Sequence, residues 1–145
     1  MRAALIGLGM VSRTYADAFA NSATVSLGSI YARTPESRAA FLARAPGLHP
    51  TAAASVAEIA ADPAIDFVVL TTPPNARAAI VQTLVAAGKP ILMEKPVERT
   101  LARATALVET CEAAGVPLGI VLQHRARPIM MNRGAAAMAA MAAAC

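Results

Sequence analysis

Short apolar runs alternate along this chain with longer segments of helical period, and that alternation most narrows what it can fold into. The runs lie at residues 3–6, 25–31, 67–70, 91–93 and 118–122, with a weak one at 49–52. Between them, residues 10–20, 35–45, 55–62, 76–87 and 100–114 carry apolar side chains at helical spacing. Strand and helix in steady alternation predict βαβ units, whose crossovers make the strands parallel and bury both faces of the sheet. The expected fold is α/β: a Rossmann-type, doubly wound sheet of about six parallel strands.

Local signals punctuate the same plan. Pro35 suits the first turn of a helix that ends before Pro46-Gly47. Ser55 and Glu58 stand at capping-box spacing, and Pro63 closes the short helix that follows. Asn75 is expected to cap the helix over 76–87, with Gly88 stopping it, and Gly115 stops the helix over 100–114.

A length of 145 residues suits one domain and leaves no room for a second full one. Hydrophobic residues are 57% of the chain, yet 37 of the 145 are alanine, so the core must be alanine-padded. Charged residues at 15% and a mean hydropathy of +0.52 argue against disorder. No apolar run approaches membrane-spanning length, because Arg13, Asp17, Asp62, Asp66, Arg77 and Glu94 interrupt every candidate. Gly7 and Gly9 likewise break the apolar start that would otherwise resemble a signal peptide. Cys111 and Cys145 have neither CxxC spacing nor a histidine set around them, so a disulfide framework and a zinc site are not expected, and a reduced, cytoplasmic chain is. The net charge of +4 comes from scattered basic residues without interleaved aromatics, which argues against nucleic-acid binding. Only two of the 13 basic residues are lysines, Lys89 and Lys95.

Gly7-Leu8-Gly9-Met10-Val11-Ser12 follows the first strand and opens the first helix, where dinucleotide folds carry GxGxxG or GxGxxA. One glycine makes the tight turn and the other admits the pyrophosphate to the backbone, while the helix N-terminus supplies partial positive charge. Ser12 stands in the third position and is small enough for close helix–strand packing. Three polar clusters, Thr71-Thr72-Pro73-Pro74, Glu94-Lys95-Pro96 and Gln123-His124-Arg125, fall at the carboxyl ends of successive expected strands. That edge of an open α/β sheet is where ligands bind.

The opening ALIGLGMVSRTYADAF, the segment TTPPNARAAIVQTLVAAGKPILMEKP and the stretch after it resemble the N-terminal domain of the glucose-fructose oxidoreductase, inositol dehydrogenase and rhizopine-catabolism (Gfo/Idh/MocA) family. The Glu94-Lys95-Pro96 triplet behind Ala87-Gly88-Lys89 is the most specific part, and the likeness covers residues 1–128. The resemblance implies an NAD(P)-dependent dehydrogenase acting on sugar-like or polyol substrates. It lays the cofactor over Gly7, Gly9 and the Thr72-Pro73-Pro74 loop and puts Lys95 near the reacting hydroxyl as a proton-transfer or orienting group. Family members often carry histidine where Arg77 stands.

The expected cofactor-binding set is Gly7, Gly9, Met10, Val11, Arg33, Thr34, Thr72, Pro73, Pro74, Glu94 and Lys95, with Lys95 the catalytic candidate and no metal site. Apart from the resemblance, an ammonium at a cleft mouth can polarise a carbonyl. Side-chain alternation sets Glu94 on the other side of the strand from Lys95, in a structural role. At the end of the second strand, Tyr31-Ala32-Arg33-Thr34 offers no acid for a ribose 2′-hydroxyl, whereas Arg33, aided by Thr34 or Ser37, can accept a 2′-phosphate. NADP is therefore favoured over NAD. His49 and His124 lack partners at metal spacing, and neither a Walker lysine motif nor a Tyr-x-x-x-Lys dyad occurs.

After Pro128 the pattern stops: residues 135–145 hold eight alanines and two methionines. The family's second domain, which would hold most of the substrate site, does not follow. The expectation is a cofactor-binding domain over 1–128 and an unrelated tail over 129–145, from a truncated or frameshifted gene. A catalytically incomplete nucleotide-binding module is the alternative, and a sugar-like substrate would be a partner only if a second domain were supplied.

Overall fold

The computed structural model describes residues 1–122. Six strands, β1 (Arg2–Ile6), β2 (Ser26–Tyr31), β3 (Thr51–Ala52), β4 (Phe67–Leu70), β5 (Ile91–Glu94) and β6 (Leu118–Val121), alternate with α1 (Ser12–Ala20), α2 (Pro35–Arg44), α3 (Val56–Ala61), α4 (Arg77–Ala86) and α5 (Leu101–Ala113). All strand pairs are parallel, in the order β3-β2-β1-β4-β5-β6. This is the Rossmann order, and it reverses direction between β1 and β4, so the crevice for a ligand opens above the carboxyl ends of those two strands.

Period-two alternation sorts the core into two layers. Ala4, Ile6, Val68, Leu70, Ile91 and Met93 face α3, α4 and α5, meeting Ile59, Ala60, Val81, Leu84, Leu107 and Cys111. Leu5, Leu27, Ile30 and Val69 face the other way, onto Ala16 of α1 and Phe41 of α2. Leu27 and Ile30, three apart, share that face because the β1–β2 register shifts between Ala3 and Ala4. Alanine at positions 3 and 4 lets helices approach the central strand closely, and both alanines are fully buried.

Thr34, Ser55 and Thr100 cap α2, α3 and α5, each side chain accepting from a main-chain N–H three residues on. Glu58 reaches back one residue beyond the N-cap, accepting from the Ala54 N–H at 2.7 Å, a near relative of the expected capping box. Gly88, at φ +66°, ends α4 in a Schellman turn: its N–H reaches the Val85 carbonyl at 2.9 Å and the Lys89 N–H reaches Leu84 at 3.0 Å. The Lys89 ammonium then donates to the carbonyls of Asp62 (2.6 Å) and Ile65 (2.8 Å), joining this turn to the entry of β4.

The start of α4 departs from expectation. Asn75 makes no capping bond; residues Pro74–Ala76 form a single 3₁₀ turn and α4 begins at Arg77. Two consecutive prolines fix φ and remove two N–H donors, so the chain enters the helix through a tight turn without a side-chain cap. Among the described residues, no helix is long and apolar enough to cross a membrane.

Candidate functional site

Gly7 leaves β1 at φ +99° and donates its N–H to the Tyr31 carbonyl at 2.9 Å. A Cβ there would lie 2.7 Å from the Thr72 nitrogen, so both the dihedral and the space demand glycine. Thr71 clasps the turn from the next strand: its N–H reaches the Ile6 carbonyl at 2.9 Å, and its hydroxyl bonds the carbonyls of Ile6 and Gly7. Gly9 differs, since a Cβ there would meet nothing within 4 Å. Ser12, buried at 2% exposure, donates its hydroxyl to the Gly9 carbonyl at 2.6 Å. The serine thus fits the close packing of this position and also pins the turn.

All eleven residues expected to bind cofactor line one cleft of about 860 Å³ above the strand ends. Gly7, Gly9, Met10 and Val11 form its floor at the start of α1; Met10 is 97% exposed. Arg33 and Thr34 stand exposed at the β2 end, where the Thr34 hydroxyl is already engaged by the Ser37 N–H and the Ser37 hydroxyl. Thr72, Pro73 and Pro74 make the β4 wall, and Glu94 and Lys95 the β5 wall. Lys95 is exposed while Glu94 is buried, as the alternation of strand side chains requires. His49 is an exposed loop residue. Gln123, His124, Arg125 and the boundary at Pro128 lie outside the described residues.

Two residues of the cleft region escaped the sequence reading. Tyr15, on α1, donates its hydroxyl to Glu94 Oε1 at 2.9 Å, across 79 positions of chain. Glu94 Oε2 accepts the Lys95 N–H at 3.1 Å. Burial, then the hydrogen bond to Glu94 and its charge, push the Tyr15 phenol well above the ordinary tyrosine value. Arg77, expected in the helix over 76–87 at a position where family members often carry histidine, is 2% exposed and donates to the carbonyls of Thr72, Pro96 and Val97. Burial pulls its guanidinium below the ordinary arginine value, opposed by the charges of Glu94 and Glu98. A signal for it existed: Arg77, Val81 and Leu84 share one stripe of α4, and all three are buried.

The residues present fit a bound dinucleotide. Among the described residues, the buried Thr72 hydroxyl oxygen at the cleft wall has no hydrogen-bond partner, as suits a group that meets a ligand. Gly9 leaves open space where a phosphate would meet the α1 N-terminus, and the dipole there favours an anion.

Residues 1–122 match the model of the oxidoreductase family described as having an NAD-binding Rossmann fold. The chain belongs to the Gfo/Idh/MocA oxidoreductase family. It is 31% identical over 135 residues to D-apiose dehydrogenase of Paraburkholderia graminis, a match covering 93% of this chain and 36% of that protein. A Desulfitobacterium hafniense structure, assigned as an NADPH-dependent oxidoreductase, superposes with a TM-score of 0.84 at 25% identity over 92% of this chain and 38% of the other. An oxidoreductase from Agrobacterium radiobacter, solved in complex with NAD+, L-tartaric acid and magnesium, also superposes, with a TM-score of 0.77 at 27% identity over 86% of this chain and 36% of the other. The chain therefore spans little more than a third of the length of each of these three proteins.

Proposed function

We propose that this chain binds a nicotinamide dinucleotide in the 860 Å³ cleft and forms the cofactor half of a dehydrogenase for CH–OH groups of sugar-like substrates. The observation that carries the reading is the convergence on one cleft of the glycine turn, the unpartnered Thr72 hydroxyl and the exposed Lys95. In it, Gly7, Gly9, Met10 and Val11 hold the pyrophosphate at the start of α1, and Arg33 and Thr34 hold the adenosine ribose. Thr72, Pro73, Pro74, Glu94 and Lys95 border the nicotinamide end. The nicotinamide, when bound, supplies hydride transfer. The Lys95 ammonium, on the β5 wall, orients the reacting hydroxyl or carbonyl and handles its proton.

NADP is the favoured form. The β2 end carries no carboxylate at 31–34, and a second guanidinium stands behind Arg33, because Arg38 donates to the Ala32 carbonyl at 2.8 Å. With the Thr34 hydroxyl committed to capping α2, Arg33 is the side chain that would meet a 2′-phosphate.

Calorimetric titration with NADPH and NADH tests the reading. In Gly9→Asp a carboxylate enters the open space at the α1 N-terminus and opposes the pyrophosphate charge, so binding falls tenfold or more, about 1.4 kcal/mol. Equal affinities for the two proteins would refute this placement.

A second reading, a module that binds cofactor without turnover, draws on the same walls. Lys95 and the Thr71 to Pro74 loop border the cleft from one side of a reacting centre, and effective molarity depends on what stands on the other. The 145-residue chain on its own is then expected to bind cofactor and to turn over no member of a sugar and polyol panel.

A further inference from the structure

Arg77 is among the largest fully buried side chains of this protein, at 2% exposure. Arginine is almost never buried to that extent unless its charge is paired. Among the described residues, every hydrogen bond it makes goes to a main-chain carbonyl. Nε and Nη2 both donate to Thr72, at 3.0 and 2.8 Å, and Nη1 donates to Pro96 and to Val97, the latter at 3.2 Å. Thr72 belongs to the loop after β4, and Pro96 and Val97 to the loop after β5. One planar fork thus spans both walls of the cleft from underneath.

Lys95 lies between two such attachments. On its amino side, the Glu94 carboxylate accepts the Lys95 N–H and is itself held by the Tyr15 hydroxyl. On its carboxyl side, Arg77 takes the carbonyls of Pro96 and Val97. The main chain that carries the exposed ammonium is fixed on both flanks, though Lys95 has no need of a side-chain partner for this.

We propose that Arg77 is a positioning residue: its guanidinium couples the Thr72–Pro74 loop to the Lys95–Val97 loop and so sets the width of the nicotinamide end of the cleft. The proposal rests on the dinucleotide reading for what the width serves, and on the hydrogen bonds alone for the coupling. Arginine is required because its donors diverge in a rigid plane; a lysine ammonium, a point charge, cannot serve two loops with the same geometry.

Arg77→Met and Arg77→Lys test it, the second retaining charge and stem should the first fail to fold. Amide exchange is followed by NMR without ligand at Ala76 and Lys95, hydrogen-bonded reporters in the two loops, with Leu5 in the core as control. In both variants, exchange at Ala76 and Lys95 should accelerate together, by tenfold or more, while Leu5 keeps its protection. The dinucleotide that the unaltered chain binds more tightly is then compared with its ADP-ribose or 2′-phospho-ADP-ribose fragment. Affinity for the whole dinucleotide should fall about tenfold more than affinity for the fragment, a split that general destabilisation does not produce. Unchanged exchange at Ala76 and Lys95, or acceleration of one without the other, overturns the coupling. Equal weakening of dinucleotide and fragment overturns the positioning role. If the unaltered chain binds neither ligand, the dinucleotide reading fails, and the exchange data still decide whether Arg77 couples the loops.

Discussion

Replacing Gly7 by alanine separates what the turn demands of its backbone from what it offers a ligand. The new Cβ would stand 2.7 Å from the Thr72 nitrogen and 2.9 Å from the Thr71 carbonyl carbon. These are main-chain atoms held in place by the Thr71 bonds to Ile6 and Gly7, so they cannot rotate aside. Placing a Cβ residue at left-handed φ costs about 1–2 kcal/mol. Overpacking against rigid neighbours adds about 1–3 kcal/mol. The sum, about 2–5 kcal/mol, is a large share of the roughly 5–15 kcal/mol that keeps a domain folded. With a urea slope of roughly 1–3 kcal/mol per molar, the unfolding midpoint should drop by about 1 M or more. Gly9→Ala supplies the contrast, because its Cβ would meet nothing within 4 Å, and its stability should stay within about 0.5 kcal/mol of the unaltered chain. Urea unfolding followed by far-ultraviolet circular dichroism measures both. Matching midpoints for the two variants would refute the argument that the approach of the β4 loop is what excludes a side chain at position 7.

Three further outcomes are expected. Ala32→Asp combined with Arg33→Ala should move the ratio of NADPH to NADH dissociation constants toward NADH, and a ratio that stays put would mean the 2′-phosphate is read elsewhere. Tyr15→Phe removes the donor to Glu94 and should cost about 1–2 kcal/mol by urea unfolding at neutral pH. Because folding raises the Tyr15 value, that contribution is intact below the unfolded value of about 10 and fades as pH climbs toward the folded one, so between about pH 9 and about pH 11 the unaltered chain should lose more stability than the variant. Parallel losses would show that Tyr15 holds its proton no more tightly folded than unfolded. Joined to the second domain of a family relative, the chain should turn over a sugar or polyol, and Lys95→Ala in that fusion should lower the rate by about 10²–10⁴; an active fusion indifferent to the change would leave Lys95 a bystander.

β1, β2, β4 and β5 were legible because each is a run of mostly buried side chains, and the two-face burial of a parallel sheet makes such runs continuous; β3, two exposed residues at the sheet edge, gave only a weak signal for the same reason. The glycine turn was legible for a related reason: Gly7 and Gly9 stand where the strand must reverse into α1. What could not be read is what the fold brings together from afar. Tyr15 and Glu94 are 79 residues apart, and no local spacing links a helix tyrosine to a strand-end carboxylate. Arg77 was hidden because its partners are carbonyls, which every residue carries, so composition holds no trace of them. The misplaced start of α4 has the opposite origin. Asn75 has the chemistry of a cap, but Pro73 and Pro74 dictate a 3₁₀ turn before any cap can form.

The attachment of Lys89 to the carbonyls of Asp62 and Ile65 also bears on how this protein can be observed. The N-terminal ammonium is likewise held, by the Thr24 carbonyl at 2.8 Å. With only two lysines in the chain and Lys89 half-buried, Lys95 is the exposed lysine, on the rim of the cleft, and the N-terminus at Met1, 70% exposed, is the other accessible amine. An amine-selective isotopic tag read by peptide mass would therefore separate the rim from the N-terminus, turning occupancy of the cleft into a mass signal at Lys95 with the N-terminal amine as internal reference.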